Sequence, residues 1–138
     1  MTAPSHAVVV ELQVPFHDVD ALGIVWHGHY LKYAEIGRSA LLRAHDLDMP
    51  QVVALGVGML VVDLAVRYSS PLRYADRLHV ATWCTRLDHR IDLAFEIRNV
   101  TANRQAARGK LSLVVTDLTG RMLIEAPYEI TRRLLATA

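Results

Sequence analysis

The chain has 138 residues, of which 52% are hydrophobic, enough for one domain over residues 1–138 with a sizeable core. It carries 15 basic and 14 acidic side chains, and this near balance argues against a nucleic-acid-binding protein and gives no reason to expect attraction to a membrane surface. The single cysteine, Cys84, excludes an intrachain disulfide, and we find neither a secretory signal nor an apolar run of membrane-spanning length. We therefore expect a cytoplasmic protein.

The first predicted elements are a strand and a long helix. Ala7–Val14 is a short apolar run that ends at Pro15, as expected of a strand. From about His29 to His45, apolar residues recur at spacings of three and four, which predicts a helix with one apolar stripe. Gly37 lies on that stripe and should cost the helix about 1 kcal/mol relative to alanine. We therefore expect a sheet to pack closely against the helix at Gly37.

The rest of the chain reads mainly as strands. Residues 51–58 form a connector with about one helical turn, and beyond Gly58 the hydrophobic period changes to two. The predicted strands are Met59–Ser69, Leu78–Leu87, Ile91–Arg98, one around Leu111–Val115, Arg121–Ile124 and Tyr128–Thr131. One long helix followed by strands with short turns predicts an α+β domain with an antiparallel sheet.

The second face of this sheet predicts an oligomer. Its residues are too apolar for simple exposure to water: Ala65, Ala81, Trp83, Ala94 and Val114. One helix covers only one face of a sheet, and one edge strand is left unpaired. We therefore expect dimerisation through the sheet, and assembly to a tetramer.

The segment between the first strand and the helix carries the strongest functional signal. Phe16–Tyr30 contains two carboxylates, three imidazoles and two glycines among large apolar side chains. Such a loop should be partly buried with its polar atoms directed at specific partners, and clusters of titratable groups of this kind are often functional. The alternative is a structural loop, in which Asp18 or Asp20 forms an Asx turn and His27 or His29 caps the helix.

This segment resembles the opening of the 4-hydroxybenzoyl-CoA thioesterase family of hotdog-fold proteins. The resemblance rests on residues 18–33, then on Glu35 and Arg38, and continues through residues 68–76. It implies a hotdog fold, in which an antiparallel sheet wraps a long central helix, with dimers and often tetramers. It also implies hydrolysis of an acyl- or aryl-CoA thioester, or of an acyl-carrier-protein thioester, without a metal or an organic cofactor.

The resemblance also implies roles for individual residues. The second aspartate of the family block is the catalytic carboxylate, which is Asp20 here. His27 matches a histidine of the branch near the Tol–Pal-associated acyl-CoA thioesterases. That branch often has a tyrosine four residues before the catalytic aspartate, whereas this chain has Phe16 and so lacks that hydroxyl. We expect Asp18 to form a turn, His29 to begin the helix and His17 to face solvent.

The chemistry of thioester hydrolysis agrees with these roles. A thiolate leaves without a strong general acid, so one carboxylate suffices as base or nucleophile. We expect Asp20 to be partly buried beside Val25 and Trp26, and the N–H groups near His27 and Gly28 to bind the oxyanion. We assign substrate contacts to Gly28, Trp26, Tyr30 and Arg90, the last in the turn 88–90 that matches basic residues of aryl-CoA relatives.

Several alternatives stay open at this point. A non-catalytic hotdog module could bind an acyl thioester, and a hotdog dehydratase is a third, weaker possibility. Asp20, His27 and His29 could be metal ligands, although we expect no metal because no third histidine-rich motif follows. Glu35 and Arg38, three residues apart on the predicted helix, are most simply an ion pair.

Overall fold

The structure, a computed structural model, describes residues 3–135. In chain order its strands are β1 (Val8–Gln13), β2 (Val57–Tyr68), β3 (Arg77–Leu87), β4 (Ile91–Asn99) and β5 (Arg104–Asp117). The α-helices are α1 (His29–Ala44), α2 (Met49–Ala54) and α3 (Tyr128–Leu135), and a short 3-10 turn covers Phe16–Asp18. Among residues 3–135, no helix is both long enough and apolar enough to cross a membrane.

The five strands form one antiparallel sheet in the order β1-β3-β4-β5-β2. Helix α1 packs mainly on β1 and β3, so the helix and the inner face of the sheet enclose the core. The largest fully buried side chains include Phe95, Leu93 and Leu113. The expected α+β arrangement of a long helix against an antiparallel sheet is confirmed.

Helix α1 lies close to the sheet at Gly37, as the sequence predicts. A Cβ atom at this position would lie 2.6 Å from Val80 Cγ1 and 2.6 Å from Thr82 Oγ1, both on β3. Only a residue without a side chain permits that distance, and the packing compensates the poor helix propensity of glycine.

The C-terminal segment differs from its prediction as strands. The expected strand Arg121–Ile124 is reduced to an isolated bridge between Met122 and Thr116, and the expected strand Tyr128–Thr131 is wrong because this segment begins α3. Ile130 and Leu134 are four residues apart and both buried, which is the helical period. Glu129 pairs with basic residues three and four positions later, Arg132 and Arg133, and so supports the helix.

Part of the second face of the sheet is covered within the chain itself. Ala81, Trp83 and Ala94 form a small buried cluster, against which Ala3 and Ala7 of the N-terminal segment pack. The apolar residues around Trp83 are thus already buried within the chain and need no partner to cover them, and dimerisation through the sheet stays a prediction. The open apolar surface lies instead on β2, where eight of twelve residues are exposed.

Candidate active site

The loop between β1 and α1 is closed by its own backbone hydrogen bonds. Val19 and Val25 form an antiparallel bridge, and the Asp20 N–H donates to the Ile24 carbonyl at 2.8 Å. The Trp26 N–H donates to the Asp18 carbonyl at 3.2 Å, and the Val25 N–H donates to Leu72 at 2.8 Å. The loop is therefore a small ordered unit, joined to the segment that precedes β3.

Asp18 anchors this unit to helix α1. Its side chain is only 1% exposed, and both carboxylate oxygens lie 2.6 Å from Lys32 Nζ. The Tyr33 hydroxyl donates to Oδ2 at 2.7 Å, and His29 Nδ1 lies 3.8 Å from Oδ1. The expectation that Asp18 merely forms a turn is wrong, because its side chain turns inward and meets residues on α1.

This pairing changes the acidity of the two buried groups. Burial opposes ionisation of Asp18, but the hydrogen bonds from Lys32 and Tyr33 outweigh it and lower the carboxyl pKa below its ordinary value. Burial and the neighbouring carboxylate both raise the pKa of the Tyr33 hydroxyl. Asp18 is therefore held as an anion and Tyr33 as a neutral donor.

Asp20 makes the turn that was expected of Asp18. Its Oδ1 accepts hydrogen bonds from the N–H groups of Leu22 at 2.8 Å and Ile24 at 3.4 Å. Within residues 3–135, Oδ2 has no hydrogen-bond partner. Asp20 is exposed, so its expected partial burial beside Val25 and Trp26 is wrong in this chain, because Asp20 and Trp26 lie on the outer side of the closed loop and only Val25 is buried.

Helix α1 begins beside this carboxylate-bearing loop. The N–H groups of His29, Tyr30 and Leu31 donate back to the carbonyls of Trp26, His27 and Gly28. In the described part of the chain, the N–H groups of His27 and Gly28 meet no acceptor. Two backbone donors are therefore free at the positive end of the helix dipole, as the oxyanion hypothesis requires.

Trp26 covers Gly28. A Cβ atom on Gly28 would overlap the six-membered ring of Trp26, so the ring lies directly against the backbone where the free N–H groups are. The Trp26 side chain is also exposed, with 53% of the residue accessible. It can therefore contact both the glycine and a molecule bound outside.

The other residues predicted to act on the substrate, Tyr30, His27 and Arg90, lie in three different environments. Tyr30 is the second residue of α1, but it is only 3% exposed and belongs to the hydrophobic core of the chain. The exposed ring of His27 lies near Trp26, with ring centroids 5.0 Å apart. Arg90 lies just after the C-terminal end of β3, whereas the loop that carries Asp20 contacts Arg73, just before the N-terminal end of β3. Within one chain, Arg90 and Asp20 are therefore at opposite ends of this strand.

Three smaller expectations are confirmed. Glu35 and Arg38 form the expected ion pair, His29 is the first residue of α1, and the His17 side chain is exposed.

Across the described residues, no group of three or more His, Cys, Asp or Glu side chains is placed to hold a metal ion. The metal interpretation of Asp20, His27 and His29 therefore has no support in their arrangement.

Comparison with known proteins identifies the family. The family model described as the thioesterase-like superfamily matches residues 14–134. The chain belongs to this superfamily. Acyl-CoA thioester hydrolase YbgC of Escherichia coli O6:H1 is 31% identical over 104 residues, which cover 75% of this chain and 77% of YbgC. The protein YneP of Bacillus subtilis is 35% identical over 78 residues, 56% of either chain.

A solved structure supports the same fold for this chain. The 1,4-dihydroxy-2-naphthoyl-CoA thioesterase Slr0204 from Synechocystis superposes with a TM-score of 0.83. That alignment is 20% identical in sequence and covers 94% of this chain and 96% of Slr0204. At this identity the likeness concerns the fold, and it confirms the hotdog architecture.

Two features of this thioesterase-like site were missed by sequence reasoning. One is the inward-facing Asp18 with its partners Lys32 and Tyr33. The other is Tyr68, whose hydroxyl donates to the His27 carbonyl at 2.8 Å from 41 residues away. Lys32, Tyr33 and Tyr68 all stand in the segments that carry the family resemblance, but nothing in their spacing reveals which atoms they meet.

Proposed function

We propose that the protein hydrolyses acyl- or aryl-CoA thioesters to the free acid and CoA, with Asp20 as the catalytic carboxylate. The observation that carries this proposal is that the ordered loop bearing Asp20 and the start of α1 that follows it both leave polar atoms without partners among residues 3–135. Among these described residues, Asp20 holds one oxygen on backbone N–H groups and leaves the other without a partner, and the N–H groups of His27 and Gly28 meet no acceptor. The superfamily membership and the likeness to YbgC support the same activity.

The reaction needs attack on the thioester carbon and stabilisation of the oxyanion that results. Oδ2 of Asp20 either attacks the carbonyl carbon or removes a proton from the water that attacks it. The N–H groups of Gly28 and His27 receive the carbonyl oxygen as it gains negative charge. When Asp20 acts as the base, water attacks the carbon, the C–S bond breaks, and the proton held by Asp20 passes to the CoA thiolate. When Asp20 attacks, the thiolate leaves as the C–S bond breaks and water then hydrolyses the acyl–Asp20 anhydride, which frees Asp20 and supplies the oxygen of the acid and the proton of CoA.

His27 contributes chiefly through its backbone in this proposal. Its N–H is one of the two free donors, and its ring is exposed beside Trp26. An assisting role for the imidazole, in holding the attacking water or protonating the leaving thiolate, is secondary because a thiolate leaves readily. Phe16 has no hydroxyl group that could assist. In this proposal the Asp20 carboxylate and the backbone N–H donors therefore carry out the reaction.

A second subunit would complete the cleft. Strand β2 lies at one edge of the sheet and exposes Leu60, Val61, Val62 and Leu64, an apolar edge that an isolated protein would leave open to aggregation. We propose that two protomers join along β2, with further assembly to a tetramer. Arg90 would then reach the CoA phosphates only from a neighbouring subunit, since it is far from Asp20 in its own chain.

The same proposal includes the branch of the superfamily, the extent of the domain, the cellular location and the substrate contacts. We place the protein near the 4-hydroxybenzoyl-CoA and Tol–Pal-associated branches of the superfamily, as one domain over residues 1–138 that acts in the cytoplasm. The chemistry described above needs no metal or organic cofactor. The substrate contacts we propose are Gly28 and Trp26 at the reacting end, and Arg90 at the nucleotide end.

The test of the catalytic role is Asp20→Asn, which keeps size and hydrogen bonding while it removes the charge. We expect kcat to fall by about 10²-fold or more with little change in KM, as for a group that acts in the transition state. The matched control is Glu125→Gln, an exposed carboxylate ahead of α3, which should leave both constants unchanged. If Asp20→Asn keeps near-normal turnover, the proposal is wrong.

A second variant separates the ring of His27 from its backbone. His27→Ala retains the N–H donor and should cost about tenfold in kcat. If this variant instead abolishes turnover while Asp20→Asn is mild, the imidazole is the base and the proposed roles are reversed.

The substrate class is tested by thiol release from a panel of thioesters. Short, long and aryl acyl-CoAs should be hydrolysed, and the same acyl groups on a carrier protein should react more slowly. Faster reaction of the carrier-bound thioesters would favour an acyl-carrier-protein thioesterase. No turnover on any member of the panel would leave a binding module as the function.

A further inference from the structure

We infer that Tyr68 is a positioning residue that orients and polarises the Gly28 N–H toward the substrate carbonyl. The inference rests on the proposed function and adds to it a residue from β2, outside the loop that carries Asp20. Tyr68 is the last residue of β2, and its hydroxyl donates to the carbonyl oxygen of His27 at 2.8 Å.

The peptide bond between His27 and Gly28 connects the two ends of this interaction. A peptide is planar and trans, and the described residues contain no cis bond, so the Gly28 N–H points away from the His27 carbonyl. That carbonyl accepts from the Tyr68 hydroxyl and also from the Tyr30 N–H at 3.3 Å. Two donors on the carbonyl therefore fix the direction of the N–H on the opposite side.

The hydrogen bond from Tyr68 to the His27 carbonyl also makes the Gly28 N–H a better donor. A hydrogen bond to a peptide carbonyl draws electron density toward the oxygen and strengthens donation from the nitrogen of that peptide. The Gly28 N–H has no acceptor among residues 3–135, so this added polarity is available to a bound molecule.

The Tyr68 ring is itself held in place. It packs edge-on against Tyr30, with ring centroids 4.8 Å apart, and lies 6.3 Å from the ring of His27. Immediately after it, the N–H groups of Ser69 and Ser70 both donate to the Ala106 carbonyl, which fixes the backbone at the end of β2. A preorganised donor of this kind can act on the peptide without rearranging during the reaction.

The test is Tyr68→Phe, which keeps the ring and removes only the hydroxyl. Against an acyl-CoA that the wild type hydrolyses, we expect kcat to fall about fivefold to twentyfold with KM changed by less than about twofold. The matched control is Tyr128→Phe on the exposed first turn of α3, which should behave as wild type. The shape of the pH–rate profile should be the same in all three proteins, since Tyr68 transfers no proton in this role.

Two CoA analogues distinguish positioning from a general loss of structure. A trifluoromethyl ketone analogue presents an oxyanion, so its affinity should fall in Tyr68→Phe by about the same factor as kcat. An S-alkyl-CoA thioether has no carbonyl oxygen, and its affinity should be unchanged. The ¹⁵N resonance of Gly28 should also move in Tyr68→Phe but not in Tyr128→Phe, because its peptide carbonyl has lost a donor.

The possible failures are separable. A wild type that turns over normally with a Tyr68→Phe variant of equal kcat would overturn the role of Tyr68 alone. Equal weakening of the ketone and the thioether would also overturn it, as would loss of one limb of the pH–rate profile. A wild type without turnover on any thioester would overturn the proposed function and this role together.

Discussion

The most informative stability experiment concerns Asp18, the buried carboxylate that joins the loop to α1. Asp18→Asn keeps the shape of the side chain but removes the charge that faces Lys32 Nζ at 2.6 Å and the Tyr33 hydroxyl at 2.7 Å. Hydrogen bonds to charged groups contribute about 1.5–3 kcal/mol each, and breaking a fully buried pair costs about 3–5 kcal/mol. Lys32 is 43% exposed and can turn into water, so we expect a loss of about 2–3 kcal/mol.

The assay is urea unfolding at pH 7 and then at decreasing pH. Because the Asp18 pKa is lowered in the folded state, its contribution is complete above the ordinary aspartate value of 3.8 and is lost as the pH falls below it. The unfolding free energies of wild type and Asp18→Asn should therefore differ at pH 7 and converge in acid. Glu11→Gln, which breaks an exposed pair with Arg77, should change little at pH 7. A difference from wild type below about 0.5 kcal/mol at pH 7 would refute the reasoning.

Three further predictions follow from particular contacts. Gly37→Ala should destabilise the fold by about 1 kcal/mol in urea unfolding despite its better helix propensity, because the new methyl group overlaps Val80 and Thr82; a stabilised variant would contradict the packing. Gly28→Ala should displace the Trp26 ring, change the tryptophan emission and lower kcat by about tenfold with little loss of stability; unchanged kcat would remove Gly28 from the site. Val62→Asp on the exposed edge should convert a dimer into a 15.4 kDa monomer in sedimentation, and a monomeric wild type would refute the β2 interface.

Much of the fold follows from local pattern. The stripe from Tyr30 to Leu41 predicts α1 to within a residue, and the alternation in Ile91–Ile97 predicts β4, because helix and strand periods differ enough to be read in a short segment. The segment Tyr128–Leu135 shows where this fails. The four residues predicted as a strand, Tyr128–Thr131, are too few to distinguish the helix period from the strand period. Only the burial of both Ile130 and Leu134 against the core decides for a helix.

The sequence by itself determined which residues could do the chemistry: a carboxylate at position 20, a histidine at 27 and a glycine before a helix. Their types and order are local properties, so they are visible without coordinates. Tertiary structure decided what each side chain meets. Asp18 turns inward because Lys32 and Tyr33 lie on the facing turn of α1, and Tyr68 reaches the His27 carbonyl because the end of β2 returns to the loop. Contacts between residues so far apart in the chain depend on how the helix and sheet pack, and no spacing in the sequence encodes that geometry.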